Sequence, residues 1–436
     1  MSIVPIDPQM TGVLWAQTSK EQEINSTTTP SSSEYDVVVI GGGFCGLSIA
    51  LNASLEGLTV LLIEAGKIGN GASGRNGGFV VPQFPGAITP SDVEKIIGPK
   101  KTKRFCEIVG RGPAFVFEQI EKFKIQCDPE QNGWVQPAHS SKALARTRKV
   151  FSEWSARGVD VQWLDSDKVG EMLGSPKYNG GWLAPTGGTI NPYALCLGLA
   201  RVFINKGGVV CENSPVTEIG TDNSQKIVKA GGQVFKTNKV VITTNAYTNG
   251  VYPELDKTII PVRLFHAVTK PLTAEQQKNI LPSRVCFTDL RKSGGVARYD
   301  PEGRIISAGA VFSIGDARSN AESHVKKRIN LLFPQLVNPE IEHYWEGYCA
   351  LTQSHLPSVQ VLGSGIYAVL GFSTRGVSLA QNLGREFSRY LAGNIPIDDL
   401  PVQVCGLDKI PFQVIQQFLG GYAFPVFKAM DRLKMS

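Results

Sequence analysis

The apolar run Val37–Ile40 ends directly on Gly41-Gly42-Gly43-Phe44-Cys45-Gly46, and Glu64 follows at the end of the next apolar run, Val60–Ile63. Few folds satisfy that pattern. A strand that feeds a helix through a glycine turn needs Gly41 for the tight bend. It needs Gly43 where backbone N–H groups approach a ligand, and Gly46 where helix and strand pack closely. The first turn of such a helix, at Phe44 and Cys45, gathers unpaired N–H groups and the positive end of the helix dipole, which suits a pyrophosphate. Glu64, beside Ala65, is placed to accept hydrogen bonds from a ribose diol. The spacing predicts a dinucleotide-binding βαβ unit and does not by itself separate NAD from FAD.

The same alternation recurs along the chain. Pro192–Lys206 has helical spacing and is followed by the strand candidate Val209–Cys211, while Val240–Thr244 reads as another buried strand. Ile366–Leu370 is a strand that runs through Gly371–Gly376 into a helix ending near Ala392. Residues 95–185 and 252–345 instead hold aromatic-rich alternating segments such as Arg304–Val311, which suit an antiparallel sheet. The expected fold is α/β: a Rossmann-type domain with a parallel sheet, built discontinuously from 35–94, 186–251 and 346–400. A second α+β domain with a mainly antiparallel sheet is expected from 95–185 and 252–345. Residues 1–34, with the polar run 26–33, read as a flexible leader, and 401–436 as a C-terminal tail or helix.

A formal charge of +6 over 436 residues, with no block of five basic residues, argues against nucleic-acid binding. The eight cysteines lack CxxC or other metal-ligand spacing, so no metal site is expected, and they read as reduced thiols of a cytoplasmic protein. No apolar stretch is long enough to span a membrane.

After Glu64 comes a second glycine loop, Gly71-Ala72-Ser73-Gly74-Arg75-Asn76-Gly77-Gly78, which has no counterpart in the nicotinamide fingerprint. Here the sequence resembles the D-amino-acid-oxidase-like family of FAD-dependent oxidoreductases, whose members place a loop of this type beside the flavin. The resemblance continues through Gly188–Pro192, Val216, Val241–Tyr247 and Tyr367–Val377, and so covers nearly the whole chain from Tyr35. Trp345–Tyr348, the Gly-Phe-Ser loop and the tail 420–433 are most similar to the gamma-glutamylputrescine-oxidase-like group. The resemblance implies a glutathione-reductase-type flavoprotein architecture and FAD as cofactor. It implies that Gly41, Gly43, Phe44, Cys45, Gly46, Glu64, Ala65, Gly71, Ala72, Ser73, Arg75, Asn76, Gly77 and Gly78, together with Val216, Thr244, Asn245, Cys349, Gly371, Thr374, Arg375, Gly376 and Val377, hold the FAD.

It further implies oxidation of a C–N bond in an amine or amino acid by hydride transfer to flavin N5, giving an imine that water hydrolyses. O2 is the expected acceptor. A same-bond dehydrogenase that passes electrons to quinone and a flavin-containing binding protein with little catalysis are the alternatives. The cofactor supplies the difficult chemistry, so no nucleophile or carboxylate pair is required. In the loop 371–376 the chain departs from its relatives: Thr374 stands where glycine is expected and Arg375 where histidine is expected. Arg375 therefore either stabilises reduced flavin, binds a substrate carboxylate, or is simply solvated. Cys349 precedes Thr352 in a segment resembling the one where sarcosine-oxidase relatives attach the flavin 8α carbon; the other reading is a core cysteine. Arg298, His266, Tyr348 and His355 are candidate substrate contacts, each weighed against a structural role. The tail 411–435 mixes aromatic and basic positions, and either packs on the body or rests on a membrane surface.

Overall fold

The computed structural model describes residues 4–5, 10–27, 29–311, 315–422, 427 and 429–431. Glu34–Ile40 is central in the first sheet, parallel to Val60–Ile63 on one side and Gln233–Ile242 on the other. Val209–Cys211 and Ile366–Leu370 extend it in parallel at either flank. Beyond these, Ser358–Gly363 pairs antiparallel, Gln403–Cys405 forms an edge, and a hairpin of Val216–Asp222 and Gln225–Ala230 joins the lower half of Gln233–Ile242. Val37 to Val39 are fully buried because both faces are covered, and alternate residues serve different cores: Val37, Val39 and Leu62 on one face, Val38, Ile40 and Leu61 on the other. The helices Phe44–Leu55 and Gly376–Leu391 pack together on the first of these faces. Their contact is close enough that Ser48 Oγ donates to Gln381 O at 2.6 Å.

The second sheet has eight strands in the order Ile341–Leu351, Ile260–Thr269, Ile305–Ala310, Val296–Tyr299, Cys286–Thr288, Trp134–Pro137, Gly181–Ala184, Gln162–Leu164. All its pairings are antiparallel except that of Cys286–Thr288 with Trp134–Pro137. The fold is thus the α/β flavoprotein arrangement expected, although Ile341–Leu351 runs unbroken in the second sheet and the division anticipated at 345–346 cuts through it. Period-two alternation in Ile260–Thr269 sends Phe265 and Ala267 into the core under the helix Ala317–Leu332. Leu264 and His266 point the other way, toward the space between the sheets.

The described part of segment 1–34 is not a flexible leader. Val13, Leu14 and Trp15 are buried around the short helix Leu14–Gln17, with Trp15 only 1% exposed. The Trp15 indole N–H donates to Asn76 O at 2.7 Å, its ring packs edge-on against Trp345, and the Arg298 guanidinium lies 5.0 Å from its centroid. Further along, the buried carboxylate of Glu21 pairs with the partly exposed Arg201. The polar run 26–33 masked this anchoring, which depends on single residues upstream of it. Replacing Trp15 by Ala removes a buried ring and a hydrogen bond and is expected to lower the unfolding free energy by about 3–5 kcal/mol; urea denaturation checks it, and an unchanged midpoint would refute the anchoring.

Candidate functional site

A cavity of about 700 Å³ lies between the two sheets, at the C-terminal ends of the parallel strands. Ligands in open α/β sheets bind at such ends because helix N-termini converge there. Gly41 turns the chain with φ +110°, and a Cβ at Gly46 would lie 2.0 Å from Gly41 O, so helix and strand approach as closely as the glycine spacing requires. Helix Phe44–Leu55 starts at Gly43 with no side-chain cap and no acidic residue in its first turn. Glu64 Oε2 accepts from Gly42 N–H at 2.7 Å and Oε1 from Gly66 N–H at 2.9 Å. Burial pushes its carboxyl above the usual range, and the two N–H donors oppose that.

The second glycine loop is held from behind. Trp345 Nε1 donates to Arg75 O at 2.8 Å, Trp15 Nε1 to Asn76 O at 2.7 Å, and Arg298 Nη1 to Gly77 O and Gly78 O at 3.1 and 3.2 Å. Ser73 Oγ accepts from Phe44 N–H at 2.9 Å, tying this loop to the first. Asn76 bonds back to Ser73 O and accepts from Gly78 N–H, and buried Arg75 donates to Asn70 O and Glu346 O. Ala65, Ala72, Val216, Thr244 and Asn245 also border the cavity. Asn245 Oδ1 accepts from Gly371 N–H at 3.0 Å and so joins two strand ends. Gly46, Gly78 and Gly371 do not border it and act through packing: a Cβ at Gly371 would lie 2.2 Å from Thr352 Cγ2.

The turn 371–376 reaches the opposite wall. Thr374 adopts φ +69°, a left-handed conformation unfavourable for a β-branched residue, where the resemblance leads one to expect glycine. Helix Gly376–Leu391 begins at Arg375, again with no side-chain cap and no acidic residue in the first turn. Arg375 donates to Gln83 Oε1 at 3.2 Å and to Thr288 Oγ1 at 3.5 Å, while its Nε has no hydrogen-bond partner among the described residues. Burial lowers its pKa to about 10, so it stays charged at neutral pH. Val377 lies beside it on the cavity wall.

His266, Tyr348 and Cys349 border the cavity from the second sheet. His266 stacks on Trp345 with ring centroids 5.2 Å apart, and burial next to Arg298 holds its pKa down at about 4. The Tyr348 hydroxyl and Cys349 thiol are both pushed up by burial, the thiol to about 12. Arg298 and His355 do not border the cavity. Arg298 is 2% exposed and spends its donors on carbonyl oxygens, including Ile190 O at 2.7 Å, so its role here is to fix the loop. His355 lies exposed in a tight turn with φ +60°. Sequence reasoning missed Thr288, at the end of its strand, and Arg291 and Lys292, in the turn Asp289–Gly295 that follows, all of which line the wall; the Gly294-Gly295 pair could have signalled a turn, but nothing local shows where it points.

Two helix N-termini, a buried carboxylate and a glycine loop tied between them facing one cavity are the features of a dinucleotide-binding enzyme. A family model described as FAD dependent oxidoreductase (DAO) matches residues 36–390, and the chain belongs to that family, with FAD as its cofactor. It is 31% identical over 369 residues to gamma-glutamylputrescine oxidoreductase of Escherichia coli, covering 84% of this chain and 86% of that one. It is 23% identical over 366 residues to glycine oxidase of Geobacillus kaustophilus, covering 80% and 91%. Among solved structures, that glycine oxidase superposes with a TM-score of 0.69 at 19% identity, covering 83% of this chain and 95% of that one. L-Proline dehydrogenase from P. horikoshii gives 0.71 at 19%, covering 90% and 98%.

The residues present fit FAD, because neither helix start is capped by its own N-cap residue, and the N–H groups beyond that of Phe44, which Ser73 takes, are left for anionic parts of the cofactor. A thiol held at about 12 is protonated at neutral pH and a poor nucleophile. Acid precipitation is therefore expected to release the flavin into the supernatant; a yellow pellet that turns colourless in Cys349→Ala would establish a covalent link instead.

Proposed function

We propose that this chain oxidises the C–N bond of an amine or amino acid and hands the electrons to O2. When bound, FAD supplies the two-electron acceptor that takes hydride from the carbon next to nitrogen. The substrate leaves as an imine, which water hydrolyses to a carbonyl compound and an amine, while O2 takes up two electrons and two protons as hydrogen peroxide. The observation that carries this reading is the pairing of Arg375, a cation with no acidic partner among the described residues, with the uncapped start of helix Gly376–Leu391 on one cavity wall. Both favour negative charge that develops there during reduction. Its relatives by name, gamma-glutamylputrescine oxidoreductase and glycine oxidase, support the substrate class.

The base inventory constrains the proton's path. Among the described residues Glu64 is the single carboxylate bordering the cavity, and its oxygens accept from the N–H groups of Gly42 and Gly66. His266 is neutral at every pH well above about 4. Burial beside Arg298 makes His266 a weak proton acceptor, so the amine is expected to arrive already deprotonated, and the charge of Arg375 disfavours a protonated competitor.

Anaerobic mixing with amino acids, N-methyl amino acids and polyamines should reveal at least one compound that bleaches the oxidised flavin. The bleaching rate should rise with pH, with its midpoint at the amine's own pKa. Because His266 already lacks a proton in that range, His266→Asn should leave the midpoint in place; a shift would make His266 the base. Arg375→Gln is expected to slow bleaching about a hundredfold, as removal of one preorganised donor does elsewhere. Failure of every compound to bleach the flavin would favour a binding protein.

A second acceptor is favoured by one observation. Phe412, Val414 and Ile415 are 78%, 73% and 56% exposed at the start of helix Gln413–Tyr422, although no described helix is long and apolar enough to cross a membrane. Such an apolar ridge suits peripheral contact with a lipid surface and electron delivery to quinone. If it does so, the protein sediments with phospholipid vesicles, Phe412→Ser abolishes that, and turnover under air yields little peroxide.

A further inference from the structure

The turn Asp289–Gly295 joins two strands of the second sheet and presents Arg291 and Lys292 to the cavity. Its base is closed from within. Asp289 N–H donates to Gly295 O at 2.7 Å, the Asp289 carboxylate accepts from Arg291 N–H at 2.9 Å and pairs with the Arg291 guanidinium, and Tyr178 Oη donates to it at 3.1 Å. Its tip is closed from elsewhere in the chain. Lys292 N–H and Ser293 N–H donate to Asp431 Oδ1 and Oδ2, each at 3.0 Å, and Ser293 Oγ also donates to Oδ2. Arg328 Nη2 donates to Ser293 Oγ at 2.6 Å and lies 3.8 Å from Asp431 Oδ2. The Asp431 side chain is only 6% exposed.

One buried carboxylate thus receives three donors of a cavity-wall turn, from a point near the end of the chain. Each of these bonds is charge-assisted and correspondingly strong. Lys292 Nζ also lies 5.8 Å from the ring of Phe427, four residues before Asp431. Without the carboxylate, two backbone N–H groups lose their partner and Arg328 loses a nearby anion, so the turn's closed form loses its hold.

We propose that Asp431 is a positioning residue of the substrate compartment: by holding Lys292 and Ser293, the C-terminal segment fixes the wall that carries Arg291 and Lys292 and governs how small molecules reach the flavin. The latch stands on its own contacts. That the compartment receives substrate rests on the oxidation proposed above.

Two readouts on the holoenzyme test it. Trypsin cuts after Arg and Lys, so the Arg291–Lys292 site reports directly on the turn. In the wild type it should resist cutting, whereas Asp431→Asn should be cut there about tenfold faster, the change expected when a charge-assisted hydrogen bond is lost, with cleavage elsewhere unchanged by mass spectrometry. Sulfite, which bleaches oxidised flavin on forming an adduct, should react faster with the same variant. Ser293→Ala removes the hydroxyl's bonds to Asp431 and Arg328 while leaving all charges and both backbone contacts in place, and should show both effects at about threefold. That separates wall opening from simple attraction of the sulfite anion.

Wild-type cutting at 291–292 and wild-type sulfite rates in both variants would overturn the proposal. Should Asp431→Asn yield no folded holoenzyme, Ser293→Ala decides alone, since loss of one hydroxyl leaves the backbone contacts. Opening in these variants with no amine able to bleach the flavin would uphold the latch and overturn the oxidation reading.

Discussion

Four consecutive backbone carbonyls, from Arg75 to Gly78, are held by three buried donors: the indoles of Trp345 and Trp15 and the guanidinium of Arg298. A glycine-rich loop has little side-chain packing of its own and would lose much entropy on being ordered. Buried N–H donors solve that problem, since each satisfies an acceptor that would otherwise face an apolar core. The donors come from the N-terminal segment and from two strands of the second sheet, so the loop is rigid only once both sheets and residues upstream of residue 34 are assembled. Arg298 carries a buried charge with carbonyl oxygens as its partners, which is why burial lowers its pKa to about 10. The same scaffold positions His266, which stacks on Trp345 and borders the cavity.

The electrostatics of the cavity follow from backbone as much as from side chains. Both helices that open onto it lack a cap from their own N-cap residue and an acidic first turn, so, apart from the Phe44 N–H bonded to Ser73, their first N–H groups are left to a ligand. Arg375 extends this field at one end. Glu64 breaks it at the other, where a neutral sugar rather than a phosphate is expected. The strained φ of Thr374 next to Arg375 shows that the turn tolerates a conformation usually reserved for glycine in order to bring the following cation and helix start to the wall.

The parallel strands were readable almost residue for residue: Val60–Ile63, Val209–Cys211 and Ile366–Leu370 stand where their apolar runs end. Strands buried on both faces carry that signal locally. The anchoring of Trp15 was not readable, because a single aromatic in a polar neighbourhood has no periodicity. Arg298 and His355 look alike in sequence as polar residues near flavin-bordering segments. One is turned into the loop's underside and the other out to solvent, a difference set by the register of Val296–Tyr299 and by the tight turn at 352–355. The turn Asp289–Gly295 was not read from the sequence, and its place on the cavity wall depends on a sheet pairing and on a carboxylate 138 residues away.

The sequence by itself determined the cofactor unit, because each part of it is a short-range requirement: a strand, a glycine turn, a helix start and an acidic residue one strand later. It likewise determined the family, since the glycine loops at 71–78 and 371–376 are contiguous. What only the tertiary structure decided is which polar groups face the reaction space. Arg375, His266 and Tyr348 border it, Arg298 supports it from behind and His355 lies outside, because the cavity forms where strand ends from two sheets meet. Its far wall is closed by Asp431 at the chain's end, a contact that no local pattern encodes.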